Sequence, residues 1–203
     1  MANITEKVES LRIELRRLNI PEGNPVFGAI NEIELQASRD YYEARTDLLT
    51  GLGNERSLNA LLEKLEPERE GIGIIALDIK GLKRVNDFYS RNYGDCLIMA
   101  ASQHIKQSIR HEDIFRAGNK ADEFYIVSGN MTDETQLSML KRLIDSRCLE
   151  CIEIRNDFGT VRMPLVFAHG SSVNNGLTSL YETKLEAERK LNESKRELKS
   201  RII

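Results

Sequence analysis

Near the N-terminus apolar residues recur every three or four positions, at Val8, Leu11, Leu15 and Leu18, with charged residues between them. That spacing predicts a helix over residues 4–18, capped by Thr5, with an a/d seam about two heptads long that suits a partner helix. Two prolines and a glycine within residues 19–25 break the pattern. A second helix is expected over about 26–46, with a weaker apolar face at Ile30, Ile33 and Ala37. Residues 1–46 therefore read as an N-terminal helical region, and 47–203 as the main domain.

From Thr46 the texture changes. Asn54 is placed to cap a helix carrying Leu58, Leu61, Leu62 and Leu65. Residues 71–78 hold no polar side chain until Asp78, the mark of a strand buried on both faces. A helical turn at 82–90 and a helix over 94–110 follow, the latter with Leu97, Ile98, Ala101, Ile105 and Ile109 inward. Strands at 113–116 and 123–128 flank a hairpin turn at 117–121. A helix at 132–147, strands at 151–155 and 161–168, and a charged helix at 177–201 complete the chain.

This order contains β-α-β-β-α-β. It predicts an α+β fold: a ferredoxin-like or palm-type antiparallel sheet with flanking helices, preceded by the N-terminal helices. In that topology the first and third strands are antiparallel neighbours. Asp78 should then lie beside Asp122 and Glu123, although they are far apart in sequence.

Composition narrows the field. With 29 Lys+Arg against 32 Asp+Glu the net charge is −3, which argues against an electrostatic nucleic-acid binder. The longest apolar runs are too short to span a bilayer, and the charged start MANITEKVES is unlike a signal peptide. A soluble, cytoplasmic protein is expected, binding neither nucleic acid nor membrane. The three cysteines, Cys96, Cys148 and Cys151, are an odd set that implies no disulfide framework. The lone C-x-x-C pair, without a second pair or a nearby histidine, reads as two residues around a helix-to-strand turn.

Three carboxylates at adjacent strand ends are costly unless a cation neutralises them. Hard oxygen donors suit Mg²⁺, which commonly bridges a carboxylate or two to substrate phosphates, and Lys83 lies one turn beyond Asp78. The plainer reading is that strand-end acids are simply solvated.

Several segments carry a resemblance. Asp47-Leu-Leu-Thr-Gly-Leu-Gly-Asn-Glu-Arg56 resembles the DxLTGLxNR opening of GGDEF domains, the diguanylate cyclase family. The run from Ile75 to Asp87 resembles its DIDxFKxxND strand-turn, Gly94-Asp95 falls at its GD position, and Ala121-Asp-Glu-Phe124 resembles the second half of the signature. Ala187-Glu188, Leu191 and Lys195 follow the spacing of its closing ADxALYxAK helix. The resemblance covers about residues 47–196, three quarters of the 203.

What it implies is specific. Asp78, Asp122 and Glu123 match the acids that hold Mg²⁺ (or Mn²⁺), with Glu123 near the attacking ribose hydroxyl and Asp122 and Glu123 as the catalytic pair. Asn86 and Asp95 match the residues that read guanine; Lys83 and Lys195 match those on the triphosphate. The implied reaction joins two GTP into cyclic di-GMP and two pyrophosphates across a homodimer, for which the N-terminal helices are suitably placed. Arg110 and Asp113 have the RxxD form of the family's inhibitory site, where cyclic di-GMP would act as an allosteric ligand. However, only two residues separate Asp113 from Arg116, where the family has three.

The departures are equally specific. Where the family has two adjacent glycines, this chain reads Gly118-Asn119-Lys120-Ala121, a turn longer by two residues. Lys80 replaces the family's second strand acid, Leu82 an aromatic, and Arg91 a histidine; the closing GRN is missing. Three readings follow: a divergent GTP cyclase, a catalytically silent module that binds GTP or cyclic di-GMP, or a palm-type cyclase with another nucleotide or product.

Overall fold

The computed structural model describes residues 2–109, 114–117, 122–129, 131, 134–148, 151–156 and 159–200. The chain divides into two compact units, Met1–Thr46 and Asp47–Ile203.

In the first unit, α1 (Ala2–Arg17) and α2 (Pro25–Glu43) form a helical hairpin. Asn19 adopts φ +56° in the reversal, a conformation asparagine tolerates better than most residues. Asn24 caps α2 by accepting from the Val26 amide, and Pro25 occupies the first helical position. Arg12 ties the helices together, with Nη2 2.6 Å from Glu34 Oε2 and 2.8 Å from Asn31 Oδ1. Thr5 lies inside α1 and does not cap it. Within this unit Val8 and Ile30 are buried, while Leu11 and Leu18 of the expected seam are exposed, as are Ile33 and Leu35.

The second unit is built on a four-stranded sheet in the order β2-β3-β1-β6. Its members are β1 (Gly73–Ile79), β2 (Ile114–Arg116), β3 (Glu123–Ser128) and β6 (Phe167–Val173), and every pairing is antiparallel. All seven residues of β1 are buried, in keeping with its central place. One face (Ile75, Leu77, Ile79, Phe124, Ile126) packs on α5 (Arg91–Ser108) and α6 (Glu134–Cys148) through Leu97, Ala101, Ile105 and Leu137. The other (Ile74, Ala76, Tyr125, Val127) packs on α3 (Glu55–Leu65) and α7 (Leu180–Ser200) through Leu58, Leu62, Ala187 and Leu191. Asn54 caps α3 as expected, accepting from the Ser57 amide. The short α4 (Leu82–Phe88) follows β1 across Gly81, whose φ of +84° is a left-handed conformation that favours glycine.

The expected α+β palm architecture is present, with one correction. The strand read over 161–168 is two strands in two different sheets. β5 (Gly159–Pro164) pairs only with β4 (Cys151–Asn156) in a separate hairpin, and the main sheet is completed by β6. Pro164 ends the first strand, since proline cannot donate to a ladder. α5 also begins earlier than expected, at Arg91, so that Gly94 lies in its first turn. Arg110 and Asp113, and the turn Gly118-Asn119-Lys120-Ala121, lie outside the described residues.

The opening motif of this unit is a clamp. Asp47 Oδ1 accepts from the Thr50 amide and hydroxyl, at 2.9 and 2.6 Å, and Oδ2 is 2.6 Å from Nη1 of Arg116 on β2. Burial pulls the Asp47 carboxyl up, but Arg116 and Thr50 outweigh it and hold it below its ordinary value. Asp47→Ala should therefore cost about 2–3 kcal/mol in denaturant unfolding at neutral pH. A depressed carboxylate stabilises above its unfolded pKa, so the gap from wild type should close as pH falls below 3.8. A gap that persists in acid would show that the bonds to Arg116 and Thr50 are not its source.

Candidate active site

β1 and β3 run antiparallel in a register that sets Asp78 opposite Glu123, at the end of the sheet. Both side chains lie on the face covered by α7. That helix places Ala187, Leu191 and Lys195 one above another at four-residue spacing. The first two pack on the sheet; the third reaches the acids. Lys195 Nζ is 2.5 Å from Asp78 Oδ2 and 3.2 Å from Glu123 Oε1. The three side chains are largely buried, at 15, 9 and 15% exposure for Lys195, Asp78 and Glu123.

Burial pushes the Asp78 carboxyl above its ordinary value, and the nearby charge of Asp122 adds to this, while Lys195 opposes both. Burial works against the Lys195 ammonium, but its bonds to Asp78 and Glu123 outweigh it and raise its pKa. Asp122 is half-buried beside them, and its carbonyl accepts from the Ile79 amide at 3.2 Å.

Two carboxylate oxygens thus converge on one cationic atom, a donor set that suits a hard divalent cation. Among the described residues no group of three His, Cys, Asp or Glu side chains is placed to hold a metal ion, and Asp78, Asp122 and Glu123 are no exception.

Behind Glu123 stands a network that the sequence reading missed. The hydroxyl of Tyr125, a buried residue, donates to Glu188 Oε1 at 2.8 Å and lies 3.5 Å from Glu123 Oε2. Glu188 pairs with the buried Lys184 at 2.9 Å, and Lys184 Nζ sits 5.0 Å from the centre of the Tyr125 ring. Burial, then Glu188, pushes the Tyr125 phenol far above its usual range. The signal was available: Tyr125 lies two residues after Glu123 on one strand, and so on the same face. Lys184, Glu188, Leu191 and Lys195 share a helix face.

The third group lies on α4 and α5. Among the described residues Asn86 Oδ1 is buried without a hydrogen-bond partner, as is Ser90 Oγ. A Cβ added at Gly94 would meet Asn86 Oδ1 at 1.8 Å, so the glycine makes room for the carboxamide. A buried acceptor left unbonded costs on the order of 1–3 kcal/mol, which a ligand donor would recover. Asp95, next to Gly94, and Lys83 on α4 are exposed. The site thus has an acidic end at Asp78 and Glu123, and an amide end with an open carboxylate beside it.

The antiparallel palm sheet with acids at the paired ends of its central strands defines the class, and comparison with known proteins gives the family. A family model described as "Diguanylate cyclase, GGDEF domain" matches residues 44–200, and the chain belongs to that family. Among solved structures, the coiled coil and GGDEF domain of DgcB from Caulobacter crescentus, in complex with c-di-GMP, aligns with TM-score 0.73 and 18% identity, covering 91% of this chain and 94% of that one. The diguanylate cyclase SiaD from Pseudomonas aeruginosa, in complex with its activator SiaC, aligns with TM-score 0.65 and 21% identity over 95% of this chain and 74% of that one. At such identities the likeness is one of fold. Among curated proteins, an uncharacterized membrane protein of Staphylococcus aureus is 33% identical over 122 residues, 58% of this chain and 32% of the relative. The chain therefore spans about a third of that relative's length. No helix among the described residues is long and apolar enough to cross a membrane.

Proposed function

We propose that the chain is a divergent GGDEF-type nucleotidyl cyclase that joins two GTP into cyclic di-GMP and two pyrophosphates. The observation that carries this reading is the convergence of Asp78 and Glu123 on one cationic atom. Asp78 and Glu123, with Asp122 beside them, would hold Mg²⁺ or Mn²⁺, which supplies charge neutralisation and Lewis-acid polarisation at a phosphate. Lys195 would exchange its bonds to the two acids for the triphosphate, with the exposed Lys83 as a second cation for it. Asn86 and Asp95 read the guanine edge: a carboxylate and an amide oxygen accept from N1–H and N2–H₂. Glu123 takes the proton of the ribose 3′-hydroxyl as that oxygen bonds to the α-phosphate of the second GTP and pyrophosphate leaves. Each protomer holds one GTP, so the reaction needs a homodimer. The exposed Leu11, Leu18, Ile33 and Leu35 of the helical hairpin suit self-association.

The second reading, a silent module that binds GTP or cyclic di-GMP, is favoured by the altered turn at Gly118-Asn119-Lys120-Ala121 and by Lys80. Incubation of the protein with GTP and Mg²⁺ or Mn²⁺, followed by mass analysis, separates the two. The cyclase reading expects cyclic di-GMP from wild type and none from Asp78→Ala. GTP binding by calorimetry without turnover assigns the silent module, and a product of another mass from a GTP/ATP mixture assigns a different nucleotide chemistry. Gly94→Ala tests the base end. The new methyl meets only the tip of a side chain, so the fold should survive with a thermal midpoint within about 3 °C of wild type. Asn86 must turn away, and GTP affinity should fall by about tenfold or more, the value of one good hydrogen bond to a charged or buried group. Unchanged affinity would remove Asn86 from the site.

A further inference from the structure

α4 also borders a cleft whose lining residue Lys80 lies within charge reach of Asp78. Arg84 and Phe88, one turn apart on that helix, line a cleft of 880 Å³ that Lys83, Asn86 and the acids do not reach. Its other apolar walls are Tyr89, Met163 before the end of β5, Val166 in the β5–β6 connection and Leu198 near the end of α7. Three separate segments thus border one concave space, of a size that suits a small molecule better than a flat protein partner.

Three of these apolar side chains are open to solvent: Phe88 at 76%, Tyr89 at 53% and Val166 at 40% exposure. The charge on the walls has one sign. Lys80 and Arg84 line the cleft, and none of its lining residues is acidic. The Arg84 side chain makes no hydrogen bond or ion pair among the described residues. A planar guanidinium pairs bidentately with an acidic group, and the apolar walls beside it offer a body to pack on. We propose that this cleft binds a small amphipathic anion: an aromatic or aliphatic body against Phe88, Tyr89 and Val166, with one acidic group on Arg84 and Lys80.

Two probes of one shape test both halves of the assignment on the full chain. 8-Anilinonaphthalene-1-sulfonate carries the acidic group; N-phenyl-1-naphthylamine is its uncharged counterpart. Fluorescence titration should give one saturable site for the sulfonate, about fivefold or more tighter than for the neutral probe. Arg84→Glu should weaken the sulfonate by about tenfold or more and change the neutral probe by less than about twofold. Phe88→Ser should weaken both, by about threefold or more. Both positions are exposed, so circular dichroism should report an intact fold. Lys64→Glu makes the same charge change on α3, away from the cleft, and should leave the sulfonate affinity unchanged. Absence of a saturable site, equal affinity for the two probes, or equal effects of Arg84→Glu and Lys64→Glu would each overturn the proposal.

Discussion

Gly170→Ala should lower the stability of the protein by about 3 kcal/mol or more, a drop of about 10 °C in thermal midpoint for a chain of this size. Gly170 lies in β6 opposite Ala76, where α7 crosses the sheet. A Cβ there would meet Leu191 N at 2.1 Å, Ala187 O at 2.2 Å and Lys190 C at 2.7 Å. All three are backbone atoms of a helix, so no rotamer change relieves the overlap and α7 itself must lift. Lys195 travels with the helix, which should weaken its hold on Asp78 and Glu123 and, on the cyclase reading, reduce turnover together with stability. Gly73→Ala is the control: its nearest neighbour is Met131 Cγ at 3.0 Å, part of a flexible side chain, and it should cost far less. Equal melting shifts for the two variants would show that the approach of α7 to β6 is not the constraint.

Lys195→Met should have the second large effect. It leaves Asp78 and Glu123 facing each other in a mostly buried site without the ammonium, and breaking such a set from one side costs about 3–5 kcal/mol. The loss has a pH signature. The Lys195 pKa is raised, so its contribution is complete below 10.5, its unfolded value, and is lost as pH rises through the folded value. In acid the carboxylates protonate and the penalty in the variant disappears. For Asp78, whose pKa is raised above 3.8, this begins at a higher pH than for an ordinary aspartate. The difference from wild type should therefore peak between those limits and shrink on both sides, which denaturant titrations across pH would record. On the cyclase reading, turnover should also fall by about a hundredfold or more, because the triphosphate loses one of its two lysines. A variant as stable as wild type at neutral pH would mean that the ammonium does not neutralise the acids in solution.

Much of the arrangement is legible in the sequence itself. The apolar run ending in Asp78 marked a central strand, and the antiparallel relation of the first and third strands brought Asp78 to Glu123, as the register shows. What escaped has physical causes. The run over 161–168, apolar but for Arg162, reads as one strand, and periodicity carries no information about a change of sheet at Pro164. Gly94 and Gly170 each make room for an atom from another segment, an amide in one case and a helix backbone in the other, and such distances are not local properties of a sequence. Lys195 was assigned to phosphate by resemblance; that its ammonium lies between the acids follows from how closely α7 packs on the sheet.

The central place of β1 has a dynamic consequence. Its amides are bonded to β3 on one side and β6 on the other, so residues 73–79 should exchange their hydrogens for deuterium only through global opening. α4 begins after two intervening residues, the second of them left-handed Gly81, and is a single short helix of seven residues whose amides should exchange through local fraying. One wall of the site belongs to the slowest-exchanging part of the molecule and the other to a fast one. A nucleotide that bridges Asp78 to Asn86 would then be recorded almost wholly as protection gained in residues 82–88.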